Sequence, residues 1–135
     1  ATSFAGQATE CSPGPHTLCV DDQPGDRRFK IEIDYFSPPR AVLGRGRAIP
    51  LAELGVSRGG LFWFFTADNP EALVKVLDAC TPELGNRFWV FLTAGTDLGY
   101  SLTVTDTASG LQRTYVNEDG APALPVQDID AFPCP

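Results

Sequence analysis

The stretch Arg28-Phe-Lys-Ile-Glu-Ile-Asp-Tyr-Phe36 alternates strictly between apolar and polar side chains. Neighbouring residues of a strand point to opposite faces, so Phe29, Ile31, Ile33 and Tyr35 share one side, and Lys30, Glu32 and Asp34 the other. That pattern predicts a half-buried β-strand, and Ser37-Pro-Pro-Arg40 breaks it.

The segments on either side extend the same theme. Ala41 to Pro50 reads as one irregular edge strand weakened by Gly44 and Gly46. Leu61-Phe-Trp-Phe-Phe65 predicts a second aromatic strand. Asn69-Pro70-Glu71 carries the signals of a helix start, so one tight helical turn is expected there, followed by a strand through Val74 and Val76 to Cys80. Phe88-Trp-Val-Phe-Leu92 is a further strand. Tyr100 to Thr107 alternates again, Ala108-Ser-Gly110 turns the chain, and Leu111 to Asn117 returns as the hairpin partner. Val126 to Phe132 reads as a final strand or extended tail. Seven to eight strands separated by Gly/Pro turns imply an all-β domain, an antiparallel sandwich or flattened barrel. Residues 1–26, small, polar and rich in Gly and Pro, read as an N-terminal arm with a disulfide loop, and residues 27–135 as a single β-domain.

The composition agrees. In 135 residues, 13 glycines and 12 prolines favour turns over long helices, and 43% hydrophobic content is enough for a core. A net charge of −7 makes nucleic acid and anionic membrane surfaces poor partners, because both require a concentrated positive face. No apolar run approaches the ~20 residues of a bilayer span.

Four cysteines, no methionine and an Ala1 start fit a mature exported protein, secreted or held at the cell surface. Cys11 and Cys19 bracket a turn-rich loop, Cys80 ends an apolar run and Cys134 is penultimate. Of the three pairings that four cysteines allow, Cys11–Cys19 with Cys80–Cys134 is expected. Free thiols and a zinc site are the alternatives, the latter without any Cys-x-x-Cys spacing to support it.

Six segments, Arg28–Ile33, Phe62–Glu71, Val74–Cys80, Phe88–Phe91, Val104–Gly110 and Ala131–Cys134, together resemble an uncharacterised β-domain family of exported bacterial proteins. Its pattern runs Arg-Phe-x-Val-x-Val, Phe-Trp-Phe-Phe-x-x-x-Asn-x-Glu, Val-Lys-Val-Leu-Asp-Gly-Cys, Phe-Trp-Val-Phe, Val-Thr-Asp-Thr-x-x-Gly and Ala-Phe-x-x-Cys. The likeness covers roughly residues 11–135. Ala79 stands where the pattern has Gly, and the terminal Cys falls one position early. The resemblance implies the fold and export, and carries no activity.

Catalytic machinery is not expected. The sole histidine, His16, lies in the Cys11–Cys19 loop with no nucleophile nominated beside it, and Val56-Ser-Arg-Gly59 is not a Gly-x-Ser-x-Gly turn. Carboxylate pairs arise by chance among 17 acids, so they nominate no glycosidase. No cofactor is indicated. Structural calcium is the one ion considered, with Asp128 and Asp130 as weak candidates and Asp21, Asp22 and Asp26 as a loop cluster.

The aromatic strands are the feature left over. Phe62, Trp63, Phe64 and Phe65, with Phe88, Trp89 and Phe91, place aromatic rings on both faces of two strands, whereas a two-layer sandwich buries one face of each. Either the arm, the Leu51–Leu54 segment or the tail covers the second face, or that face binds a partner. Phe62, Trp63, Phe64, Trp89 and Phe91 are the candidate partner-binding residues. The expected function is a non-catalytic extracellular structural or adhesive module that contacts itself or another extracellular protein, self-assembling through arm and aromatic strands. A secreted protease inhibitor presenting the Cys11–Cys19 loop and a carbohydrate-binding module using Trp63 or Trp89 are the alternatives.

Overall fold

The computed structural model describes residues 11–135; the first ten residues of the expected arm lie outside them. The alternating stretch is strand β2 (Phe29–Ser37), with Phe29, Ile31, Ile33 and Tyr35 all buried. Its neighbours are β1 (Leu18–Val20), β3 (Val42–Arg45), β4 (Arg47–Pro50), β5 (Gly59–Trp63), β6 (Pro70–Ala79), β7 (Arg87–Ala94), β8 (Gly99–Asp106), β9 (Gln112–Asn117) and β10 (Val126–Pro133). All pairings are antiparallel. One sheet runs β1-β2-β8-β9, with β3 also paired to β2; the other runs β10-β7-β6-β5-β4. The domain is thus a sandwich of two five-stranded sheets and not a closed barrel.

Ten strands form where seven or eight were expected, for two local reasons. First, Leu18–Val20 pairs with the Phe29–Ile31 end of β2, so residues 11–26 are fastened to the body and do not form a loose arm. The Cys11–Cys19 bridge closes the loop before it, the Ala48 N–H donates to the Pro15 carbonyl at 2.8 Å, and His16 Nδ1 donates to the Gly46 carbonyl at 3.2 Å. Second, the segment 41–50 is two strands, because the chain leaves one sheet for the other at Gly46. The residue is buried, and a Cβ there would collide with Ile33 Cγ2 and press on the Phe64 ring at 3.3 Å. The sheets therefore share a corner at a position where only a hydrogen fits.

The helical turn expected at Asn69-Pro70-Glu71 is absent. The Asn69 N–H closes a tight turn on the Thr66 carbonyl at 3.1 Å, and Pro70 already begins β6. Pairing of Ala72–Ala79 with β7 along its length outweighs the local helix signals.

Between the sheets lies the core. Phe29 meets Phe88 edge-on at 5.1 Å and Phe132 at 5.7 Å, while Tyr35 stacks on Phe64 at 4.3 Å and its hydroxyl donates to the Phe64 carbonyl at 3.0 Å. Each such ring, fully buried, contributes roughly 1.5–3 kcal/mol by transfer from water. The Cys80–Cys134 bridge fixes the end of β10, and loop-closure entropy assigns it about 4 kcal/mol against roughly 3 for the shorter Cys11–Cys19 loop.

Candidate contact surface

The strand parity that buries Phe62 and Phe64 decides which aromatics reach solvent. Phe62 is 0% and Phe64 4% exposed, so both belong to the core and are removed from the candidate partner-binding set. Trp63, Trp89 and Phe91 point the other way, onto the outer face of the five-stranded sheet, where they are half-buried by one another and by their neighbours. Register extends that face. Ile49, Leu61, Leu73 and Thr93 form one row across β4, β5, β6 and β7; Lys75, Phe91 and Gln127 form the next; Leu77 and Trp89 follow, and Arg47 and Trp63 form the row at the opposite end.

Seven large apolar side chains therefore share one outward face, with Leu73 at its centre 42% exposed. Of the three expected covers, residues 1–10 of the arm lie outside the described residues, and the other two are placed elsewhere. Ala52–Leu54 forms a separate exposed 3-10 turn, and the tail continues in the plane of the sheet as β10. Trp89 and Phe91 stack 5.9 Å apart with their planes inclined by 15°. The Trp89 indole N–H is covered and has no acceptor among the described residues, an unsatisfied donor costing about 1–3 kcal/mol.

The charges on this face that lack an opposite partner are basic. Arg47 sits over the Trp63 ring at 5.2 Å and Lys75 over Phe91 at 5.5 Å, both within cation–π range. Neither has an acidic partner among the described residues, whereas Arg87, at one corner, is paired with Asp130 at 2.7 Å. The sequence holds only half of the signal for this face, and the reading of it missed Lys75, Arg47 and Leu73. Lys75 flanked by Val74 and Val76 marks the solvent side of β6, and the antiparallel register then carries that side to Phe91 and Trp89.

The remaining candidates have structural roles. Asp128 accepts from the Tyr115 hydroxyl at 2.6 Å and from the Asp130 N–H at 2.9 Å, and Asp130 pairs with Arg87. A bulge between Asp128 and Phe132 breaks the regular face on which the two carboxylates were expected. In the loop cluster, Asp21 accepts from the N–H groups of Gly25 and Arg27, and Asp26 from those of Asp22, Gln23 and Arg28. These carboxylates close turns, and no group of three or more metal-binding side chains forms among the described residues. Burial, then Asp78, holds the Asp22 carboxyl above its usual range, opposed by Gln23 and Arg28.

A cleft of about 580 Å³ opens between the disulfide loop, the Asp21–Arg27 loop and the Leu51–Ser57 segment. Its acids, Asp21 and Asp26, are the ones already engaged by backbone N–H groups, and His16 is not among its lining residues.

Comparison of the chain with protein-family profiles, with curated proteins and with solved structures finds no match.

Proposed function

We propose that the chain is a non-catalytic extracellular module of structural or adhesive type, and that the outer face of the β10-β7-β6-β5-β4 sheet is its contact surface. The observation that carries this reading is that face itself. Ile49, Leu61, Trp63, Leu73, Leu77, Trp89 and Phe91 lie on one side of the sheet, Leu73 exposed and the other six half-buried. Monomeric proteins rarely leave so many contiguous apolar groups at the surface without a partner for them. Export is supported by the two disulfides. The inhibitor alternative draws less support, because Pro13 and Pro15 make the Cys11–Cys19 loop a poor substrate mimic.

The two tryptophans of the sequence, Trp63 and Trp89, both stand on this face, so their fluorescence reports its occupancy directly. The test is tryptophan emission with sedimentation velocity across a wide range of protein concentration, then after addition of insoluble extracellular-matrix and cell-wall preparations. A shift in emission accompanied by association or co-sedimentation, and lost in Leu73→Asp, is the expected result. Constant emission and no association under every condition would overturn the reading.

A further inference from the structure

The contact face has a charge that narrows what it takes. The chain carries a net charge of −7, yet the charged side chains on this face without an acidic partner are Arg47 and Lys75, each laid against an aromatic ring. A ring with a cation laid on it offers two kinds of contact side by side, an apolar edge and a donor for an anion. This pairing occurs twice, at Arg47–Trp63 and at Lys75–Phe91. From the strand spacing and rise, the two cations stand two strands and four residue positions apart, roughly 16 Å along a diagonal of the sheet.

Charge argues against a second copy of the chain as the main occupant. Two copies meeting face to face would bring four unpaired cations into one desolvated layer, where like charges cost free energy. A nucleic acid fits no better, since its closely spaced phosphates would meet two cations on an otherwise acidic protein. The arrangement suits a narrow polymer that presents apolar planes and sparse negative charges, which is the chemistry of sugar rings bearing carboxylates.

Resting on the contact-surface reading above, we infer that the outer face of the β10-β7-β6-β5-β4 sheet binds an anionic, carboxylate-bearing polysaccharide, with Trp63, Trp89 and Phe91 as its half-buried apolar contacts and Arg47 and Lys75 as the carboxylate partners. The polymer lies across the strands along the diagonal that joins the two cation–ring pairs. Leu61, midway between them by register, and Leu73 beside it supply the apolar floor.

The test is titration of the whole, non-reduced chain with polygalacturonate, alginate and hyaluronate, and with dextran and fully methyl-esterified pectin as uncharged controls. Tryptophan emission and affinity electrophoresis are the readouts. Expected is binding to at least one acidic polymer that weakens as salt is raised, with little binding to the controls. Lys75→Gln and Arg47→Gln should each weaken it roughly five- to tenfold, the scale of one charge-assisted contact at a partly exposed site. Phe91→Ala should weaken it while leaving both tryptophan reporters in place. All three side chains lie outside the core, and thermal unfolding of each variant verifies that it folds.

Binding to none of the acidic polymers, or binding that the two cation variants leave unchanged, would overturn the inference. The outcome for the contact surface is read separately, from sedimentation velocity on the same variants. Self-association lost in Phe91→Ala without any glycan binding rejects the polysaccharide and keeps the face as a protein contact. No change in either readout rejects both.

Discussion

Arg28 grips both carboxylate oxygens of Asp106, Nε to Oδ1 at 2.8 Å and Nη2 to Oδ2 at 3.0 Å, with the Asp106 side chain wholly buried. The pair joins the start of β2 to the end of β8. Asp106 also accepts from the Ala108 N–H and the Ser109 hydroxyl, so the same carboxylate shapes the hairpin turn. The Arg28 guanidinium lies over the Phe88 ring at 4.7 Å, which extends the contact to the opposite sheet. Removing one partner of such a pair leaves the other charge buried and uncompensated. Asp106→Ala is therefore expected to lose about 3–5 kcal/mol, measured as a fall in the urea midpoint, and Asp106→Asn less, because it keeps hydrogen-bonding atoms in place. A loss under 1 kcal/mol in Asp106→Ala would show that the pair does not hold the hairpin to β2.

Stability should peak on the acid side of neutrality. Burial alone holds the Glu71 carboxyl above its ordinary value of 4.5. A carboxyl raised in the folded state binds its proton more readily there than in the unfolded chain, so stability rises as pH falls toward that ordinary value. Asp22, raised by burial and by Asp78 despite Arg28, acts in the same direction down to 3.8. Asp106 acts oppositely. Burial works against its ionised form, but hydrogen bonds from Arg28 and Ser109 and the Arg28 charge prevail, leaving it below its ordinary 3.8. Its contribution is present above 3.8 and is lost as pH falls through the depressed folded value. The melting temperature should climb from pH 7 down to 3.8, where the Asp22 contribution is complete, and drop below it as Asp106 is protonated. Glu71→Gln should flatten the climb and leave the drop intact; an unchanged climb would assign it to other groups.

Gly46 separates two strands that belong to different sheets, and its missing side chain is the reason the chain can cross there. Gly46→Ala should cost about 1–3 kcal/mol by overpacking against Ile33 and Phe64. Gly95→Ala is the control, because a Cβ there meets nothing within 4 Å. Equal stability of the two variants in denaturant unfolding would mean that the corner relaxes freely.

These same residues show what a sequence reading reaches and where it stops. The alternation of Phe29, Ile31, Ile33 and Tyr35 is a local property with one solution, and the structure has the strand it predicts. The disulfide partners Cys11–Cys19 and Cys80–Cys134 were also legible, from a short turn-rich loop and from a run and a tail in need of an anchor. The crossing at Gly46 was not, since a glycine in a strand looks the same whether it weakens an edge or changes sheets. The strand at Leu18–Val20 is only three residues long, and its partner, the free end of β2, is fixed by tertiary structure. Aromatic residues at 62, 63, 64 and 65 are apolar in both parities, so hydrophobicity could not say which pair faces in. Lys75 resolves it, but only once the register of β6 with β5 and β7 is known.

That parity leads to the most direct separation of contact surface from core. Phe62 and Trp63 are neighbours in β5, and Val90 lies between Trp89 and Phe91 in β7, yet the two sets of side chains serve different ends. Phe62→Ala opens a cavity between the sheets and should cost about 3–5 kcal/mol. Trp89→Phe should cost far less, because the ring that replaces the indole still stacks near Phe91 while the N–H that lacks an acceptor is removed. Relief of that donor offsets part or all of the lost contact area, so the expected change lies within about 1 kcal/mol of zero. Leu73→Ser, at an exposed position, should fall in the same narrow range. Thermal and urea unfolding of the three variants decide the matter together. If Trp89→Phe or Leu73→Ser destabilises the domain as much as Phe62→Ala, the outer face is part of what holds the fold together. Near-native stability in both leaves its apolar residues without a folding role and available for a partner.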